Sequence, residues 1–200
     1  MPASRKECKF VTLQYMKYER LKLGEVLRFW FEELTHEQRF SGEAEIDAMI
    51  VDRFTDIHAQ VAAGEFWQYR TEVYSYLAEV IVLDQFSRQL FRDSGQAFAY
   101  DGMALTIAQQ AIAAGLDQKL DPTERMFLYM PFMHSESKVV HAQAVPLFES
   151  LGIEETLKYE HIHKDIIDQF GRYPHRNERL SRETTASEQE YLDTNHESFF

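Results

Sequence analysis

Thirteen consecutive residues, Phe170-Gly171-Arg172-Tyr173-Pro174-His175-Arg176-Asn177-Glu178-Arg179-Leu180-Ser181-Arg182, carry four arginines and one histidine in a chain whose formal net charge is −12. Guanidinium groups bind carboxylates or phosphates through charge-assisted hydrogen bonds. With Glu178 as its only acid, the run must either neutralise carboxylates brought from elsewhere in the fold or receive an anion from outside. Arg172, Arg176 and Asn177 are therefore candidate ligand-binding residues, and His175 is a candidate for proton transfer.

A second set lies upstream. Asp84, Arg88 and Arg92 recur at i, i+4, and Asp84 precedes Arg88 in the order that favours an ion pair. The stripe runs along a segment, Tyr74 to Arg92, whose apolar residues cover nearly the whole helical circumference, so its charges enter a core and need partners. Asp84 and Arg88 form either a structural ion pair or one wall of a polar pocket. In either case they are expected to be largely buried and to contact the Gly171 to Arg182 run rather than only each other.

The third set is Pro131-Phe132-Met133-His134-Ser135-Glu136. Proline cannot continue the hydrogen-bond ladder, so the helix should kink or end there and leave His134 and Glu136 at an irregular junction. Both are candidates for acid and base work. Ser135 is a poor nucleophile for His134, because adjacent helical residues point about 100° apart. A fourth set, His161-Ile162-His163-Lys164-Asp165, places His161 and Asp165 on one helical face and His163 on another. No compact ligand spacing marks a metal site, and phosphate-binding glycine loops, the nucleophile elbow and the zincin pattern are missing, so no metal or cofactor is expected.

The elements that must position these groups read as helices. Leu23, Val26, Leu27, Trp30, Phe31 and Leu34 recur at three and four, as do Ile46, Met49, Ile50, Phe54, Ile57 and Val61. Gly64, Gly115, Gly152 and Gly171 follow four helical patterns as left-handed stops, one of those patterns spanning about Gln96 to Ala114. Asp121-Pro122-Thr123-Glu124 and Thr185-Ala186-Ser187-Glu188 are helix starts with capping boxes. Hairpin turns between alternating apolar runs are missing. The reading is all-α, with about seven to eight helices packed as antiparallel hairpins, residues 1–20 as an N-terminal extension and 21–200 as one domain.

Composition narrows the function. Thirty-three acids against 21 bases oppose nucleic acid and anionic membranes as partners. A lone cysteine, Cys8, forms no internal disulfide, and no signal sequence or spanning run is visible, so a cytoplasmic location is expected.

Four stretches together, Val26 to Phe31, Leu83 to Arg88, Pro131 to Glu136 and His163 to Arg182, resemble a bacterial family called domain of unknown function 924. The resemblance spans about Leu23 to Leu192, and Gly171 to Asn177 is its most specific mark. It implies an α-α superhelix of the TPR-like kind and no established activity. Ser87 and Gln89 stand where the family pattern has proline and asparagine, Arg39 replaces a tryptophan, His141 a glutamine and Ser181 a glycine.

Two functional readings follow. In one, Arg88, Arg172 and Arg176 hold a small anion while Asp84, His134, Glu136 and His175 orient it or move protons. In the other, the helical stack is a scaffold for a protein partner and the arginine run is a structural clasp. The clasp leaves every arginine internally satisfied and no cavity. Polarity concentrated in irregular segments favours the pocket.

Overall fold

Helical caps and apolar spacing dictate most of the architecture, which a computed structural model describes for residues 22–194. Among these residues there are nine helices and no strand. We label them α1 (23–33), α2 (His36–Arg39), α3 (Ala44–Ala62), α4 (73–90), α5 (Asp101–Ala113), α6 (Pro122–Met133), α7 (Lys138–Glu149), α8 (Glu154–Phe170) and α9 (Ala186–Thr194). The two capping boxes start α6 and α9 as their sequences require. Gly64, Gly115, Gly152 and Gly171 all take positive φ, between 64° and 75°, which only glycine adopts without a steric penalty. The expectation for residues 1–20 concerns a segment outside the described residues.

Three boundaries differ from the sequence pattern. The helix expected from Gln96 begins at Asp101, after a short 3₁₀ turn over Gly95–Phe98. Pro131 lies within the last turn of α6, which continues to Met133, so His134 caps the helix rather than following a break at the proline. Both α1 and α4 contain π-helical stretches, Phe29–Glu33 and Ile81–Phe86. Such wide turns shift the register of every side chain that follows them. In α4 the stretch includes Asp84.

Helix α4 is the centre of the molecule, packing against α1, α3, α5 and α6. Val80 through Phe86 are nearly all fully buried, as near-complete apolar coverage of a helix demands. Phe29, Phe54, Phe86, Trp30 and Phe127 interlock by tilted and edge-on contacts, with centroids 4.9–6.0 Å apart. Helix α7 packs on both α6 and α8. Ile166, Ile167 and Tyr173 form a separate small cluster beneath the loop after α8. That loop, with its 3₁₀ turn Pro174–Arg176, contacts α9 and closes over the junction between α6 and α7.

Candidate functional site

Burial requires the charges of α4 to find partners, and they do so across the fold. Asp84 is fully buried, and the Arg88 side chain is 13% exposed. Arg88 donates to the Asp84 carbonyl through Nη1 and to both carboxylate oxygens of Asp101, at the start of α5, at 3.0 and 3.1 Å. Arg176, from the arginine run, donates to the same Asp101 at 3.1 Å. The expected contact between run and stripe is thus made through Asp101. Arg176 is otherwise enclosed between aromatic faces, 4.5 Å above Phe98 and 4.7 Å above Tyr173, and burial lowers its pKa.

His134 Nδ1 is 2.8 Å from Asp84 Oδ1. Burial would raise the Asp84 carboxyl, but His134, Arg88 and a hydrogen bond from Gln85 outweigh it and hold Asp84 below its ordinary value. Burial, with Arg88 adding to it, lowers His134 against the opposing pull of Asp84 and Asp101. Asp84 is therefore the anion and His134 a neutral ring that donates from Nδ1. The lone pair is then on Nε2, for which the described residues provide no hydrogen bond.

The rest of the arginine run behaves as a clasp. Arg172 points to the outside of the loop, where Nε and Nη2 bind both carboxylate oxygens of Glu188 on α9. Arg182 binds Glu136 with two nitrogens, at 2.6 and 3.0 Å, and donates to the Tyr173 carbonyl. Glu136 also accepts from the Tyr173 amide. Asn177 accepts from Arg182 and donates to Thr184, holding the turn. His175 is tilted against Tyr173 at 5.4 Å, and burial lowers it to about 3. Tyr173 donates through its hydroxyl to the Met133 carbonyl, tying the loop to α6. His141 is fully enclosed between Glu160, the Ser135 carbonyl and the Tyr173 hydroxyl.

A cavity of about 550 Å³ opens on the other side of this framework. Arg88, His134 and His163 form part of its wall, together with Arg39, Arg92 and Arg179. Opposite chemistry comes from Met126, Met130 and Met133 of α6, with Phe40 and Phe98. Asp84 lies behind this wall, while Arg172, Arg176, His175, Asn177 and Glu136 do not line it. A smaller cavity of about 320 Å³ is lined by Asp101, Glu136 and Arg176, and shares His134 and Phe98 with the larger one. The structure therefore separates residues that the sequence grouped: Arg88 and His134 face the large cavity, Arg176 and Glu136 the small one, and Arg172 and Asn177 neither. Neither expected geometry is met whole, because Arg172, Arg176 and Arg182 are paired and a cavity nevertheless exists.

Sequence reasoning misses several residues of this site. Asp101, the shared carboxylate, sits in an ordinary helical pattern, and nothing local marks it. Met126, Met130 and Met133 recur at four and three, a spacing that places them on one apolar face of α6. Arg39 donates to the carbonyls of Trp30, Phe31 and Leu34 at the end of α1, where a cation is favoured by the helix dipole. Among the described residues no group of three or more His, Cys, Asp or Glu is gathered that could hold a metal ion. No helix of the described residues is long and apolar enough to cross a membrane.

A family model described as a bacterial protein of unknown function (DUF924) matches residues 26–196. The chain is also similar to a solved structure of the protein of unknown function ATU0120 from Agrobacterium tumefaciens. The two are 35% identical, with a TM-score of 0.84 over 89% of this chain and 99% of the other. The search of curated proteins produced no match.

Proposed function

We propose, for a chain that belongs to this bacterial family of unknown function, that the larger cavity binds a small organic anion with an apolar body, in the cytoplasm. One observation carries the reading. Four arginines and two glutamates line a cavity in a protein with a net charge of −12, facing three methionines. A pocket of this size with a few polar groups set into apolar walls has the form of a small-molecule site. Each of these arginines has a partner of its own, so they act on the ligand chiefly through their field. The methionines, flexible and polarisable, suit an aliphatic or aromatic body.

A thermal-shift series with octanoate, octanol and octylammonium tests the proposal, since a ligand that prefers the folded state must raise its stability. Octanoate should stabilise the protein in a saturable way, and the neutral and cationic analogues should not. Equal shifts with all three would reduce the site to an unselective apolar hole. The scaffold alternative rests on exposed Val51, Trp67, Tyr69, Val139 and Tyr159. Only Trp67 and Tyr69 share an element, the 3₁₀ turn Trp67–Tyr69, so these residues carry that reading less far.

A further inference from the structure

The pairing of His134 with Asp84 has more order than anion binding needs. A buried carboxylate fixes the imidazole through Nδ1, and the opposite nitrogen, in the wall of a cavity, has no partner among the described residues. This is how a general base is set, since the carboxylate selects the tautomer and stabilises the imidazolium that forms when Nε2 takes a proton. Arg88 adds the complementary feature. Its hydrogen bonds to Asp84 and Asp101 use three of five N–H donors, and it lines the same cavity. Charge developing on a substrate oxygen there would meet a guanidinium already held in place.

The nucleophile has to come from elsewhere. Three aliphatic hydroxyls line the cavity: Ser41 and Thr156 each spend the hydroxyl proton on a backbone carbonyl, that of Gln38 and that of Ile153, and Thr123 stands in the first turn of α6, about 16 Å along the helix from His134. Water remains as the partner for His134. Gln89 also lines the cavity, and its buried Oε1 has no hydrogen-bond partner among the described residues, an acceptor of the kind that retains a water.

Resting on the ligand reading above, we infer that the protein is an esterase of medium-chain carboxylic esters in which His134 is the catalytic base, Asp84 its positioning residue and water the direct nucleophile. Water oxygen bonds to the ester carbonyl carbon as Nε2 of His134 takes one of its protons. The carbonyl electron pair moves onto oxygen, facing Arg88. When the tetrahedral intermediate collapses, the C=O bond re-forms, the bond to the alcohol oxygen breaks, and the leaving oxygen takes the proton back from the imidazolium. The products are an alcohol and an acid, and the acid ionises to the amphipathic anion that the cavity suits. The charged and titratable groups facing His134 are Asp84 and Arg88 from α4, Asp101 from α5 and His163 from α8.

The experiment uses the full chain with p-nitrophenyl octanoate, and octanoate binding is measured in parallel. Expected are saturable turnover above buffer, inhibition by octanoate and no initial burst of p-nitrophenolate. His134→Gln should lower kcat by roughly 10²-fold or more while keeping the octanoate shift. Asp84→Asn should lower kcat with little change in KM and alter the acidic limb of the pH profile. Octanoate binding without turnover, or turnover unchanged in His134→Gln, overturns the esterase inference and leaves the ligand reading standing. Failure of both binding and turnover overturns both. A stoichiometric burst means a covalent acyl intermediate and overturns direct attack by water. Should His134→Gln not fold, the wild-type profile decides. The acidic limb of kcat must follow one group titrating below the ordinary histidine range, and a flat limb rejects His134 as the base.

Discussion

Asp101 holds Arg88 with both of its carboxylate oxygens, and its Oδ2 is shared with Arg176, which comes from a segment 75 residues away. One anion thereby joins the central helix to the C-terminal loop. Two other arginines of the loop pair with acids outside it, Arg172 with Glu188 on α9 and Arg182 with Glu136 between α6 and α7. The framework behind the cavity is fixed by ion pairs, and the cavity itself is a product of how α2, α4, α6 and α8 surround them.

Asp101→Asn should be strongly destabilising. The amide keeps the shape but leaves two guanidiniums, 13% and 7% exposed, facing each other without their shared anion. Breaking such a buried network typically costs about 3 kcal/mol or more. Denaturant unfolding at neutral pH measures the difference. A loss under about 1 kcal/mol would put these pairs among weak surface bridges.

Stability should fall as pH falls below neutrality. Burial holds His163 and His175 at about 3 and, with Arg88, keeps His134 below its ordinary value. Unfolded histidines titrate near about 6.5, so between that pH and about 4 the unfolded chain binds more protons and gains on the folded one. The slope is on the order of 1 kcal/mol per pH unit for each histidine that stays neutral when folded. Glu160 acts in the opposite sense, because burial raises its carboxyl, and offsets part of the loss. Urea midpoints from neutral pH to about pH 4 check the sign. A midpoint that rises toward acid would contradict the neutral-histidine assignment.

Two glycine substitutions should have opposite signs. Ser181 has φ of 53° on an exposed turn, a left-handed conformation that costs a residue with a Cβ. Ser181→Gly should stabilise by about 0.5–1 kcal/mol. Gly171, at φ 71° after α8, has open space where a methyl group would project, so Gly171→Ala should cost about 1 kcal/mol through backbone conformation alone. Paired thermal melts report both.

Ligand affinity should separate the cavity from the clasp. Arg179 lines the cavity, whereas Arg172 is bonded to Glu188 outside it. Arg179→Gln removes one of the four positive charges that line the cavity and should weaken octanoate binding by roughly threefold or more. Arg172→Ala should leave the Kd within about twofold and lower only the melting temperature. Calorimetric titration distinguishes the two, and a larger loss in Arg172→Ala would move the anion site to the loop.

The local grammar of this protein is legible in its sequence. The capping boxes at Asp121 and Thr185, the left-handed glycines and the near-circumferential burial of 74–92 all depend on interactions within about four residues, and the sequence states those directly. Even the need of Asp84 and Arg88 for partners follows from the apolar residues around them. Their actual partners do not. His134 is 50 residues from Asp84, and Arg176 is 75 from Asp101, so each pairing depends on which helices pack together and at what register. The π-helical stretch across Asp84 changes that register and has no clear signature in residue type. Grouping by sequence neighbourhood therefore assigns Arg172 and Arg176 to one site, because they lie four residues apart. The turn Pro174–Arg176 separates their side chains, sending one outward to Glu188 and the other inward to Asp101. Local order is written in the chain, and the division between clasp and cavity arises only when burial forces each charge to its nearest available counterpart.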